Sequence, residues 1–177
     1  MNSGKRFRFL PAAVLFATLA LLLCGSARTL AQAGQPLDLP CATGVTVQPI
    51  GQAMPSDANG QALVMLRLTI APGGGFTAHT HPGTLIVSVE SGALDVTQLG
   101  DMQMEVMRVA ANGTPTMSEP MTMGTVTTVN TGDWFAEPEG MLHDAVNSGT
   151  VPTVVLISGL VDPNLPLVQC AEGTPAA

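Results

Sequence analysis

The chain of 177 residues carries 6 Lys and Arg against 13 Asp and Glu, a formal net charge of −7. That balance repels polyanions, which excludes nucleic acid and anionic membrane surfaces as partners and leaves small molecules and metal cations. Aromatics make up 3% of residues within a 46% hydrophobic total, so a core must rest on aliphatic side chains, with methionine filling gaps.

In chain order, the basic residues Lys5, Arg6 and Arg8, an apolar stretch from Leu10 to Leu23 and a small-x-small site at Ala31-Gln32-Ala33 predict a secretory signal peptide over residues 1–33. The expected destination is secreted or periplasmic. No later apolar run is long enough to span a membrane, so no stable anchor is expected after cleavage. A lipoprotein reading of Cys24 wants a small residue before the cysteine, and Leu23 is large. The remainder has the size of one domain and keeps Arg67 and Arg108 as its cations. Its expected division is an N-terminal extension with the first strand (34–61), a β-barrel (62–161) and a C-terminal tail (162–177).

Short Val-, Thr-, Leu- and Ile-rich runs separated by Gly, Pro, Asn and Asp predict strands at Gly44–Ile50, Ala62–Ile70, Phe76–His81, Leu85–Glu90, Leu94–Leu99, Gln103–Ala110, Thr125–Val129, Trp134–Glu137, Leu142–Asn147 and Thr153–Leu160. No sustained 3.6-residue apolar period is present, so the fold class is all-β, a sandwich or barrel. Gln52–Gly60 reads as a polar loop and Asn112–Gly124 as a long one. Beyond Val161 a Pro-rich tail should wrap the surface until Cys170 pins it. Cys41 and Cys170 form an even pair in an exported chain and read as a disulfide, the alternative being two unrelated thiols. The bridge would remove about 4–5 kcal/mol of unfolded-state entropy in the loop-closure model. Met102, Met104 and Met107, and Met117, Met121 and Met123, form two clusters. They suit core filling, with Met102 and Met104 on one strand face; the alternative is a soft Cu(I) site.

All 3 histidines lie in two glycine-anchored frames. The first runs Gly73-x5-His79-x-His81-x3-Leu85-x6-Gly92, and the second Gly132-x5-Pro138-x-Gly140-x2-His143-x3-Asn147. Side chains alternate along a strand, so His79 and His81 point the same way. If the strand carrying His143 faces theirs, three imidazoles converge, and neutral imidazole is a general ligand for divalent transition metals.

These frames resemble the two motifs of the cupin superfamily. The stretch GDWFAEPEGMLHDAVN matches the second motif at every fixed position. The stretch from Gly73 to Gly92 matches the first except at Leu85, where the family usually carries a glutamate ligand. The resemblance implies an antiparallel jelly-roll barrel in one domain, a metal in its mouth held by His79, His81 and His143, and a homodimer as a common assembly. The metal could be Fe, Mn, Zn, Ni or Cu. Leu85 cannot bind metal, and it leaves the ion's charge without a carboxylate. Glu90 and Asp144 have the wrong strand parity to replace it, and Glu137 and Glu139 are expected on a solvated turn.

Leu85, Trp134, Phe135 and Asn147 are expected to shape or support a pocket. With Arg67 pointing outward, no cation clearly enters the barrel, which favours a small neutral or weakly polar ligand; Arg108 is the one exception its strand register leaves open. Three functions fit: a ligand-binding module with a structural or weakly catalytic metal, a metal-dependent small-molecule enzyme (oxygenase or lyase/isomerase), or a metal-free cupin.

Overall fold

The computed structural model describes residues 39–171. The expected signal peptide and most of the 34–39 start lie outside the described residues, as does the end of the tail. Among the described residues there is no helix, and eleven strands make one antiparallel sheet. They are β1 (Ala42–Ala53), β2 (Ala62–Thr80), β3 (Gly83–Ser91), β4 (Ala93–Gln98), β5 (Glu105–Val109), β6 (Pro115–Pro120), β7 (Val126–Asn130), β8 (Trp134–Glu137), β9 (His143–Val146), β10 (Thr153–Val161) and β11 (Gln169–Cys170). The spatial order is β6-β5-β8-β3-β10-β2-β9-β4-β7, with β1 and β11 also on β2. The chain is an all-β antiparallel jelly roll.

The sheet curls because β2 changes neighbours along its length. Its first half, Ala62–Ile70, pairs with β10, and its second half, from Gly75 to His79, pairs with β9. Between them Gly73 takes φ 73°, the left-handed region that glycine enters at no steric cost. A Cβ at Gly75 would collide with the Ala145 carbonyl of β9. The sequence pattern predicts two strands here, Ala62–Ile70 and Phe76–His81. They are one bent strand, since Val45 to Ala53 of β1 follow it up to Ile70 and Ala42 and Thr43 rejoin it beyond the bend.

The core fills from alternate positions. Leu85, Val87 and Val89 of β3 face in while Thr84, Ile86 and Glu90 are exposed. Leu68, Ile70, Val96, Val106, Val129, Phe135 and Val155 join them, each burial contributing roughly 1.5–3 kcal/mol. Met104, Met121 and Met141 are buried among these aliphatics. Both Met102 and Met104 precede β5, and Met102 is exposed while Met104 is buried, so they share no strand face.

The expected loop 112–124 contains a strand, β6. It pairs with β5 alone, its side chains are mostly exposed, and Pro115 and Pro120 bound it. An edge strand solvated on both faces has no apolar alternation to read. In the C-terminal segment, Cys170 is bonded to Cys41, with Cα atoms 5.8 Å apart across 129 residues. The two-residue β11 there pairs with Thr80 and His79.

Candidate metal centre

β2 and β9 carry the three histidines to one point. His79 and His143 are cross-strand partners in register, and His81 lies one residue past the end of β2, two beyond His79. All three are buried. Ring centroids are 4.3 Å apart for His79–His143, 4.8 Å for His79–His81 and 5.3 Å for His81–His143. One ligand nitrogen from each lies within 4.8 Å of the others. The three are positioned to hold one metal ion.

The outer ring nitrogens fix the tautomer. His79 Nδ1 lies 2.8 Å from Thr77 O, His81 Nδ1 2.7 Å from Leu167 O, and His143 Nδ1 2.9 Å from Met141 O. A carbonyl oxygen only accepts, so each Nδ1 must donate. In a neutral ring that leaves Nε2 as a lone pair. Backbone carbonyls thus supply the outer support that orients metal-binding imidazoles.

Glu137 is not on a solvated turn. It is buried, with Oε1 3.0 Å from His143 Nε2 and Oε2 3.2 Å from His81 Nε2. Oε2 has no hydrogen-bond partner among the described residues. Two carboxylate oxygens therefore face two ring lone pairs in a buried site, an arrangement that needs a cation between them. The donor set fits a divalent transition metal: imidazole nitrogens with one hard oxygen. In the ion's absence protons can play that part. Burial works against the charged forms of both Glu137 and His143. Their mutual attraction and hydrogen bonding outweigh it, so the carboxyl falls well below its usual range and the imidazole rises above its own. His79 behaves oppositely: burial, then repulsion from His143 and His81, pushes it down to about 3.

The remaining expected site residues separate. Leu85 is fully buried and lines the cavity beside the histidines, cross-strand from Glu137. Trp134 is half-buried on the outward face of β8, and Phe135 is sealed in the core; neither lines the cavity. Asn147 is a buried clamp. Its Nδ2 donates to Ile70 O and Val151 O at 2.9 and 2.8 Å, and its Oδ1 accepts from Gly149 N at 3.0 Å. Glu90 is held by Arg67 on the exterior at 2.6 and 2.9 Å. Glu139 is exposed.

The cavity has a volume of about 40 Å³. Its polar lining consists of the three histidines and Glu137; the rest is apolar, including Phe76, Leu66, Ile157, Leu167 and Val168. Neither of the described arginines reaches it. Arg108 binds Glu119 at 2.7 Å, Asp133 at 2.9 Å and Thr128 O at 2.8 Å. Sequence reasoning missed Glu137, Phe76 and the Leu167–Val168 wall. For Glu137 a signal existed: period two puts it on the same face of β8 as Phe135, which was expected inside. Phe76 and the tail wall depend on long-range placement.

The family model described as Cupin matches residues 43–169. Auxin-binding protein ABP19b of Prunus persica is 29% identical over 126 residues, 71% of this chain and 52% of that protein. The chain thus spans about half the length of that curated relative. Among solved structures, a cupin-like protein of Thermotoga maritima aligns at 18% identity and TM-score 0.48 over 73% of this chain and 78% of its own. The polyketide cyclase RemF of Streptomyces resistomycificus aligns at 16% identity and TM-score 0.46, covering 78% of each chain.

Proposed function

The chain belongs to the cupin family, and from that premise we propose that it binds one divalent transition metal through His79, His81 and His143 and a small, largely apolar molecule in the cavity beside it. One observation carries the reading. All three Nδ1 atoms are committed to backbone carbonyls, so three Nε2 lone pairs converge on one buried point. Fe, Mn, Zn, Ni and Cu all suit such nitrogens. The apolar cavity walls, with polar groups at the histidine cluster, support a ligand with an apolar body and one polar head. A relative that is an auxin-binding protein supports a binding role in general. The disulfide supports an oxidising compartment outside the cytosol. Among the described residues no helix is long and apolar enough to cross a membrane.

A second reading, a metal-dependent enzyme acting on a small molecule, draws on the cavity's direct contact with the histidine cluster. When bound, the metal would supply Lewis-acid or redox chemistry; the residues around it would orient the molecule and exclude water. Elemental analysis of wild type and His79→Ala tests the common premise. We expect about one equivalent of metal per chain in wild type and little in the variant. Metal in neither, with equal melting temperatures, sinks the metal reading and leaves a metal-free ligand-binding cupin. Turnover lost in a folded His81→Ala variant would select the enzyme reading over the binding one.

A further inference from the structure

Resting on the metal reading above, we propose that Glu137 is the fourth protein ligand of the centre, a carboxylate relocated by one strand from the position that Leu85 occupies. Leu85 of β3 and Glu137 of β8 are register partners. Directly opposite residues of an antiparallel pair project on the same face with Cβ atoms about 4.5–5.5 Å apart. A carboxylate on either strand can therefore serve the same point in the cavity. This chain has leucine on β3 and glutamate on β8, so the site keeps three imidazoles and one carboxylate.

Two details separate a direct ligand from an outer support. A supporting carboxylate bonds the far nitrogen of a histidine. Here every far nitrogen already has a backbone carbonyl, and Glu137 faces the near ones, Nε2 of His81 and of His143. In addition Glu137 Oε2 is buried with no hydrogen-bond partner among the described residues, which is unfavourable for a charged group unless a cation meets it. One carboxylate also halves the charge that neutral imidazoles leave on a divalent ion.

Cobalt(II) titration followed by visible absorption tests this, because the ligand-field bands report the ligand set as well as the affinity. The comparison is wild type against Glu137→Gln, with fold checked by circular dichroism before metal is added. We expect Glu137→Gln to bind cobalt about 100-fold or more weakly, beyond the 10–100-fold typical of outer supports, with altered band positions and intensities. Unchanged bands in the variant, whatever its affinity, overturn the assignment. If Glu137→Gln does not fold, a crystal structure of zinc-loaded wild type carries the test. A Glu137 oxygen at about 2.0–2.2 Å from zinc is the expected result; an oxygen beyond bonding distance overturns it. Wild type that takes up no metal overturns the underlying metal reading instead, so the two failures are distinguishable.

Discussion

At the scale of single residues, protons and a metal ion would contest the same lone pairs at the proposed centre. His143 is shifted up by Glu137, against the opposing effect of burial, so the metal-free site keeps a proton there above the ordinary imidazole range. Stability from that pair is fully present below the unfolded imidazole pKa, about 6.5, and is lost as pH rises through the raised value. His79, lowered to about 3 by burial and its histidine neighbours, has the opposite sign. Its contribution is present above the unfolded value and is lost as pH falls toward the folded one. A bound metal would take the place of the proton held by Glu137 and His143, so it should stabilise most where the proton has left. Calorimetry with and without zinc at about pH 6 and about pH 8 should show the larger rise in melting temperature at the higher pH, with cobalt affinity falling by up to about a decade per pH unit below the His143 value. A zinc-induced shift that shrinks toward pH 8 would contradict this account.

At the scale of elements, the tail is part of the site. β11 pairs with Thr80 and His79, Leu167 O accepts the His81 Nδ1 proton, and Leu167 and Val168 form cavity wall. The Cys41–Cys170 bond holds that segment, closing a loop of 129 residues. Replacing both cysteines by serine should cost up to about 5 kcal/mol in the loop-closure model. It should also weaken cobalt binding by roughly 10–100-fold through the loosened Leu167 carbonyl. Equal cobalt affinity in the folded double variant would mean that the Leu167 contact stands without the bond. The same element shows where sequence reading stopped. Strands with one buried face, such as β3 and β10, and the His79–His81 pair announce themselves by alternation. β6 and β11 do not, because one is solvated on both faces and the other has two residues held by partners far along the chain. Glu137 was readable as sharing a face with Phe135, but its pairing with Leu85 was not, since register between distant strands leaves no local trace.

At the scale of the whole molecule, charge is expected to select what enters the cavity. The chain carries −7 overall, its two described arginines are engaged with carboxylates outside the cavity, and Glu137 adds a buried negative charge at the polar end once pH has risen far enough for His143 to lose its proton. Apolar walls favour a hydrophobic body irrespective of metal. Above the pH at which His143 loses its proton, an anionic head meets a repulsive field in a low-dielectric space unless a divalent ion cancels it. The anionic dye 8-anilinonaphthalene-1-sulfonate should therefore bind zinc-loaded protein at least about tenfold more tightly than chelated protein, a difference of roughly 1.4 kcal/mol. Neutral N-phenyl-1-naphthylamine should bind both forms with similar affinity. Fluorescence titration of the two dyes, with and without chelator, makes the comparison, and Glu137→Gln should narrow the gap by admitting the anionic dye to the metal-free form. If the anionic dye binds equally well after chelation, the centre's charge does not control the cavity, and selection must come from the shape of its apolar walls.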